Sequence, residues 1–369
     1  MRFRLPNFPS LFLGFFLLAL SPRLGLAANT LHVAFTEVTQ VKKGEHEITK
    51  LQKHYFIQFE AKERFIYAVA EEFMKSESSF LKDGSTAYVY KSPEGDVPLA
   101  LPNRLLKFRA GILAAQAYFN NAAAQAGITL QWLEPTLPTV VVVGDPTGKP
   151  ETIATTNYFS KRMAFRPQWD SFAVEAVAVH EYFHLVQSAS WCNGNRSECL
   201  NKYNDSKDPY HLFLAEMSGE WSTDEPIEVG LPGGGTKNID TFNEYLDYRA
   251  AYGYLNSHEQ PFFRHDEYDA NLLIKYLAER ISGSDASAAP AILKLYRSIF
   301  EKGVLDQTSF FQAITESMPP STAVTGSWED RWLRFFTEFA ASTLVQNAET
   351  RQDPSEPLGF FDDAFTQRP

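Results

Sequence analysis

Short segments in which apolar and polar residues alternate dominate the N-terminal part of the chain. Between residues 30 and 90, the segments LHVAF, YFIQFEA and AYVYK have this two-residue period, which is typical of half-buried β-strands. A helix is predicted near residues 68–75. The stretch 92–103, which holds three prolines and a glycine, is predicted to be a loop. This part of the protein is therefore expected to be rich in strands.

Longer apolar segments of helical period dominate the rest of the chain. A helix is predicted over residues 104–127, with Gly127 at the usual place of a helix C-cap. A buried strand is predicted at 139–143 (TVVVV), and a less apolar strand, expected at a sheet edge, at 157–165. The glycine-rich stretch 232–237 is predicted to be a loop. Six further helices are predicted: 172–190, 210–221, 266–281, 289–302, 309–317 and 327–347. This order of elements predicts an α+β fold.

The first 27 residues have the features of a secretory signal peptide. Arg2 and Arg4 give a positive start, and residues 11–20 form an apolar run. Residues 25–27 (GLA) offer small residues for cleavage. The apolar run is about half as long as a membrane-spanning helix requires. We therefore expect cleavage after residue 27 and a secreted or periplasmic protein with no stable membrane insertion.

The composition is that of a packed globular protein, and its charge restricts the partners. The 369 residues are 44% apolar and 21% charged, and the net charge is −11. Removal of residues 1–27 takes away three arginines and no acidic residue, so the remainder carries −14. Nucleic-acid binding and docking on anionic lipid both need clustered positive charge. We therefore expect neither of these partners.

The chain contains two cysteines, Cys192 and Cys199. In an exported protein, two cysteines this close in sequence are expected to form a disulfide, which would close a small loop. Two free thiols are the alternative. A cysteine-based zinc site is disfavoured, because no second pair is present to complete four ligands.

Two histidines four residues apart lie in the predicted helix 172–190, within the HExxH motif His180-Glu181-Tyr182-Phe183-His184. Residues at this spacing lie one above the other on one helix face, so both imidazoles can reach one ion. Zinc suits two neutral imidazoles. Glu181 is not needed as a ligand and is close enough to take a proton from water at the metal. The motif therefore predicts a zinc site with a general base, with packed structural histidines as the alternative.

A catalytic zinc needs a third protein ligand and an open position. The pattern in which a glycine and then a histidine follow the motif is excluded, because Gln187 and Ser190 occupy those positions. The remaining candidates lie downstream: Glu198, Asp205, Asp208, His211, Glu216, Glu220 and Asp224. Glu216 has the better geometry, because it lies on a predicted helix with apolar neighbours and a rigid helix positions a ligand well.

The HExxH motif and the segment FLAEMSGEW at 213–221 together resemble the gluzincin metallopeptidases, the thermolysin-like group. The resemblance covers roughly residues 104–281. It implies that Glu216 is the third zinc ligand beside the two histidines and that Glu181 is the catalytic base. It also implies that Glu220, one turn further on, orients a zinc histidine. The interval between the second histidine and the glutamate is longer than in the compact members of that group.

The same resemblance implies a zincin-like catalytic domain with a small mixed sheet, an edge strand, an active-site helix and a glutamate helix. The expected organisation is a signal peptide at 1–27, a strand-rich region at 28–103, the catalytic domain at 104–282 and a helical C-terminal subdomain at 283–369. In this type of enzyme a tyrosine or histidine from the helical half stabilises the oxyanion, which makes His265 and Tyr268 candidates. The edge strand 157–165 could hold an extended peptide by backbone pairing, and an interior or capped strand is the alternative.

The expected function is that of a secreted zinc metallopeptidase acting on peptide or protein substrates. An endopeptidase is favoured, because the GxMEN signature of the related aminopeptidases is absent. A zinc hydrolase of a non-protein substrate, such as an amidase, is the first alternative, and a non-catalytic metal-binding protein is the second. Glu181 counts against the latter, since a structural zinc has no use for a base.

Overall fold

The structure is a computed structural model that describes most of the elements around the HExxH motif. The described residues are 32–41, 49–59, 63–70, 85–92, 95–130, 139–143, 154–157, 162–165, 174–191, 210–230, 234–239, 271–282, 288–301, 312–316 and 326–350. The predicted signal peptide and the predicted disulfide between Cys192 and Cys199 lie outside this part of the chain. Among the described residues, no helix combines the length and apolar character that a membrane crossing requires.

Ten strands and six longer helices make up the described part of the chain. The strands are β1 (His32–Val41), β2 (Thr49–Gln58), β3 (Phe65–Ala70), β4 (Ser85–Ser92), β5 (Gly95–Pro102), β6 (Thr139–Val143), β7 (Ala154–Asn157), β8 (Arg162–Phe165), β9 (Glu228–Gly230) and β10 (Thr236–Asn238). The helices are α1 (Asn103–Ala126), α2 (Val174–Trp191), α3 (Tyr210–Trp221), α4 (Asn271–Ser282), α5 (Ala289–Glu301) and α6 (Trp328–Thr350). The protein is therefore of the expected α+β class, with a small mixed sheet and helices.

One mixed sheet of six strands has the order β1-β2-β3-β6-β8-β7. Strands β1, β2 and β3 are antiparallel neighbours, whereas β3 runs parallel to β6 and β6 runs parallel to β8. The last strand, β7, is antiparallel to β8 and lies at the edge. Strands from both sides of the boundary expected at residue 103 therefore belong to one sheet.

Two predictions for the N-terminal part were wrong. Residues 68–70 of the predicted helix belong to β3, which is paired on one side with β2 and on the other with β6. Sheet pairing on both sides outweighs the helix propensity of the alanines in this segment. The predicted loop 92–103 is largely strand β5, which pairs with β4 in a two-stranded sheet. Among the described strands, each member of this pair has one side without a partner, and a proline that lacks an N–H group is tolerated on such a side.

The predictions for 157–165 and 232–237 were wrong in part. The single edge strand predicted at 157–165 is two short antiparallel strands, β7 and β8, and the edge of the sheet is β7. Strands of four residues are too short to show a reliable period in sequence. The predicted glycine loop is shorter than expected, since residues 236 and 237 belong to β10. Gly234 and Gly235 precede β10 with φ of 90° and 84°, which only glycine adopts readily.

Most of the predicted helices and the strand at 139–143 are confirmed. Helix α3 and strand β6 have the predicted bounds, and α1, α2 and α5 differ from them by one or two residues within the described part. Gly127 ends α1 in the left-handed conformation with φ 70°, and its N–H bonds to carbonyl groups of the last turn. Residues 312–316 are helical, within the segment predicted at 309–317.

Within the part of the chain that the structure describes, one cluster of buried side chains joins the sheet to the helices, and α2 lies within it. This helix contacts α1, α3, α5 and β7. All its described side chains from residue 178 to residue 190 are buried, as expected for a helix that is apolar nearly all round. Phe183 of α2 packs on Phe119 of α1, with ring centroids 4.9 Å apart, and on Tyr296 of α5 at 6.1 Å. The HExxH motif is therefore held by packing on several sides.

The closeness of α1 and α2 gives a test of this packing. A Cβ placed on Gly111 of α1 would lie 2.5 Å from the carbonyl oxygen of Glu175 and 2.8 Å from Cβ of Ala178. Alanine gains about 1 kcal/mol of helix propensity over glycine, but forcing two packed backbones apart costs typically about 1–3 kcal/mol and occasionally more. We expect Gly111→Ala to lower the free energy of unfolding, measured by denaturant titration. Asn120→Ala, on the exposed face of α1, is the matched control and should be neutral or slightly stabilising. A stabilised Gly111→Ala protein would contradict the close packing.

Candidate metal centre

Helices α2 and α3 present three ligand atoms to one another across their interface. The atoms are Nε2 of His180, Nε2 of His184 and Oε2 of Glu216, and these residues form the one metal-competent group of His, Cys, Asp and Glu found among the described residues. The two Nε2 atoms are 3.0 Å apart, and Glu216 Oε2 lies 3.4 Å from the first and 3.5 Å from the second. Both histidines are buried, and the Glu216 side chain is 24% exposed.

This triangle has the dimensions of a zinc site. Ligand atoms that lie about 2.0–2.1 Å from a tetrahedral zinc ion are about 3.3 Å from one another. The three observed separations of 3.0, 3.4 and 3.5 Å bracket that value. A set of two imidazole nitrogens and one carboxylate oxygen is also a donor set that zinc accepts in catalytic sites. These residues could therefore hold zinc without a large rearrangement.

The hydrogen bonds of His184 fix its tautomer. Its Nδ1 lies 2.9 Å from Oε1 of Gln187, one turn further along α2. The Nε2 group of Gln187 donates to the carbonyl oxygen of Ala215 at 2.9 Å, so the amide oxygen must be the atom that faces the ring. Nδ1 of His184 therefore carries the proton in the neutral ring. The lone pair of Nε2 then points toward His180 and Glu216.

His180 is oriented by α3 in a similar manner. Its Nδ1 lies 3.4 Å from Oε1 of Glu220, and a carboxylate at that position favours a protonated Nδ1. Its ring packs directly on Gly219, where an added Cβ would lie 2.7 Å from the ring carbon Cε1. A glycine at this position is what lets α3 approach the imidazole. With both rings in this tautomer, two nitrogen lone pairs and one carboxylate oxygen converge on the same point.

Three hydrogen-bond acceptors that converge on one point repel one another unless a positive charge lies among them. The pKa values of His180, His184 and Glu216 reflect this repulsion. Burial alone would lower the pKa of His180, but the hydrogen bond to Glu216 and the charge of Glu220 outweigh it and raise the pKa to about 9. Burial alone would raise the pKa of Glu216, but the two histidines hold it well below its ordinary value. The pKa of His184 is raised, because the charge of Glu216 outweighs burial. The site therefore attracts a cation, either a proton or a metal ion.

Glu181 lies beside the triangle and is held by the edge strand of the sheet. Thr156 of β7 donates its hydroxyl to Oε2 of Glu181 at 2.5 Å and also lies 2.9 Å from the backbone carbonyl oxygen of that residue. Burial raises the pKa of the Glu181 carboxyl, although the two histidines and Thr156 act in the opposite direction. A carboxylate with a raised pKa accepts a proton more readily than an ordinary glutamate.

The structure brings five of the sequence-predicted site residues together: His180, Glu181, His184, Glu216 and Glu220. Five other candidates lie outside the described residues: the oxyanion donors His265 and Tyr268, and the alternative ligands Glu198, Asp205 and Asp208. The backbone of His211 belongs to α3 and that of Asp224 to the 3₁₀ turn after it, whereas their side chains lie outside the described part.

Three residues that shape the site were not predicted from the sequence: Thr156, Gln187 and Gly219. Gln187 is three positions after His184 on one helix face, so the helical spacing could have identified it as a partner of that ring. The contacts of Thr156 and Gly219 join elements 25 or more positions apart in sequence, and no local pattern shows them.

Comparisons with known proteins give no relative for this chain. No protein-family model, no curated protein and no solved structure matches it.

The raised pKa of His180 gives a pH dependence for the metal-free protein. A group whose pKa rises from 6.5 when unfolded to about 9 when folded stabilises the protein fully below pH 6.5, and this contribution is lost as the pH rises through 9. For a buried imidazole the contribution is on the order of 3 kcal/mol.

We expect the free energy of unfolding, measured by denaturant titration after chelation, to fall between pH 6.5 and pH 9. Glu216→Gln, which removes a charge that raises the pKa of His180, should flatten the fall. A metal-free parent whose stability rises from pH 6.5 to 9 would contradict this account.

Proposed function

We propose that this protein is an exported zinc metallopeptidase of the gluzincin type. The observation that carries the proposal is the convergence of His180, His184 and Glu216 at 3.0–3.5 Å, with the buried carboxyl group of Glu181 beside them. A structural zinc site needs only ligands, and usually four of them. Three ligands among the described residues and a neighbouring base favour a catalytic site instead.

The residues that would hold the zinc each have a distinct task. His180 and His184 offer neutral imidazole nitrogens, and Glu216 offers a negative charge that offsets part of the charge of the ion. Oε1 of Glu220 lies 3.4 Å from Nδ1 of His180, and the amide oxygen of Gln187 accepts from Nδ1 of His184, so both rings are restrained. A bound zinc would act as a Lewis acid that polarises the substrate carbonyl group and acidifies water.

Glu181 is the proposed general base. Thr156 engages its Oε2 atom, so we assign the transferred proton to Oε1. In the proposed reaction Glu181 accepts a proton from the attacking water and later donates it to the leaving amine, which returns the carboxylate to its starting state. The raised pKa of this buried carboxyl group suits both roles. His265 and Tyr268 remain the candidates for stabilising the oxyanion.

A peptide substrate is favoured by the position of strand β7. Among the described strands, β7 pairs with β8 alone and ends the sheet. Thr156 of the same strand is bonded to Glu181, so the edge of the sheet runs past the proposed base. An extended peptide that adds to such an edge would bring its backbone carbonyl groups close to the site. A small amide substrate would make no use of this edge.

Replacement of the base gives the direct test of the reaction. We expect Glu181→Gln to lower the rate of casein or peptide hydrolysis by about 10²–10⁴-fold, because the amide cannot accept the proton. Zinc content, measured by elemental analysis, should be unchanged, because Glu181 is not a ligand. Glu228→Gln, at an exposed position in β9, is the matched control and should retain the parent rate.

The same assay separates the alternatives. Chelation should abolish hydrolysis by the parent protein, and added zinc should restore it. A zinc-loaded parent that cleaves a panel of small amides but no peptide would favour the amidase. A zinc-loaded parent that cleaves neither would favour a non-catalytic metal protein, and equal rates for the parent and Glu181→Gln would remove Glu181 from the mechanism.

A further inference from the structure

A buried chain of polar groups runs from the proposed zinc ligand His184 to helix α5. Its central member is Gln187, whose side chain is in contact with both α3 and α5. The amide nitrogen of Gln187 lies 2.9 Å from the carbonyl oxygen of Ala215, 3.0 Å from Oγ of Ser218 and 3.2 Å from the hydroxyl of Tyr296. Ser218 and Tyr296 also bond to each other through their hydroxyl groups. Gln187 is 1% exposed, Ser218 is fully buried and Tyr296 is 1% exposed, so water has little access to this chain.

The Ala215 carbonyl group determines the orientation of the Gln187 amide and, through it, that of His184. The carbonyl oxygen of Ala215 can only accept, so the group of Gln187 that faces it must be the NH₂ group. The amide oxygen of Gln187 is thereby directed at Nδ1 of His184, and the ring must donate from that atom. The Nε2 atom of His184 is left with its lone pair, 3.5 Å from Oε2 of Glu216.

We propose that Gln187 is a positioning residue of the metal centre, which fixes the tautomer and orientation of His184 and is itself fixed by Ala215, Ser218 and Tyr296. This inference rests on the proposed function, because it assigns a role toward the zinc ion. It extends the metal centre to α5, since Tyr296 belongs to a helix in the predicted C-terminal subdomain.

An amide performs this task better than a carboxylate would at the same position. The site already contains the carboxyl groups of Glu181, Glu216 and Glu220 around two imidazoles. A further buried negative charge would be costly to desolvate. The amide of Gln187 accepts from the ring on one side and donates to α3 and α5 on the other, so it orients His184 while adding no charge. Loss of such a partner of a ligand histidine typically weakens metal binding about 10–100-fold.

The test measures the zinc dissociation constant of the full chain by competition with a chromophoric chelator at neutral pH. Gln187→Met keeps the length of the side chain and removes its hydrogen bonds, and we expect zinc binding about 10–100-fold weaker than in the parent. Tyr296→Phe removes only the hydroxyl group at the far end of this chain of polar groups and should weaken zinc binding less than Gln187→Met does. Ser190→Ala is the matched control, because it removes a different buried hydrogen bond of α2, the one from Ser190 Oγ to the Val186 carbonyl oxygen at 2.9 Å.

A second variant separates positioning from packing. Gln187→Glu keeps an oxygen acceptor for His184 but loses the donors to α3 and α5. We expect Gln187→Glu to bind zinc more tightly than Gln187→Met. In denaturant titrations, the metal-free forms of both variants should be less stable than the metal-free parent. The absorption spectrum of the cobalt-substituted protein should change in Gln187→Met and be unchanged in Ser190→Ala, because it reports the ligand geometry.

The outcomes distinguish failure of this inference from failure of the proposed function. A parent protein that binds no zinc would overturn both. A parent that binds zinc, together with a Gln187→Met variant that matches it in affinity and cobalt spectrum, would overturn the role of Gln187 alone. If Gln187→Met does not fold, Tyr296→Phe carries the test, because it keeps the ring that packs on Phe183. A measurable loss of zinc affinity in Tyr296→Phe supports the inference, and the parent affinity contradicts it.

Discussion

Three acceptor atoms that converge between two helices are the constraint on which the rest of this structure depends. Two imidazole nitrogens and one carboxylate oxygen lie 3.0–3.5 Å apart, and in the neutral rings their lone pairs point toward one another. Such an arrangement is repulsive unless a positive charge occupies its centre. The raised pKa values of both histidines and the lowered pKa of Glu216 show that the site favours a positive charge. A metal ion would stabilise the three atoms more than a proton does, because it can bind all three at once.

The surrounding fold holds α2 and α3 in the relative position that brings these three atoms together. Helix α2 is buried against α1, the sheet and α5, so it cannot turn without disrupting the core. Helix α3 approaches closely because Gly219 leaves room for the ring of His180. Each ring is also held at Nδ1, one by Glu220 and the other by Gln187. The edge strand β7 then supplies Thr156 to hold Glu181, so the sheet edge adjoins the candidate metal centre.

Sequence reasoning predicted those parts of this arrangement that depend on local spacing. The four-residue spacing of His180 and His184 predicted a shared face, and the apolar neighbours of Glu216 predicted its helix with the observed bounds. Strand β5, with its prolines, and the short strands β7 and β8 could not be predicted from local sequence, because sheet pairing decides those segments. The contact of Gly219 with His180 depends on how α3 docks on α2, which the sequence does not show.

Anomalous diffraction at the zinc absorption edge, from crystals of protein purified without chelators, tests the central claim most directly. The account predicts one strong peak per chain, bonded to Nε2 of His180, Nε2 of His184 and a carboxylate oxygen of Glu216. A peak elsewhere, or a carboxylate of Glu216 directed away from the two rings, would contradict it.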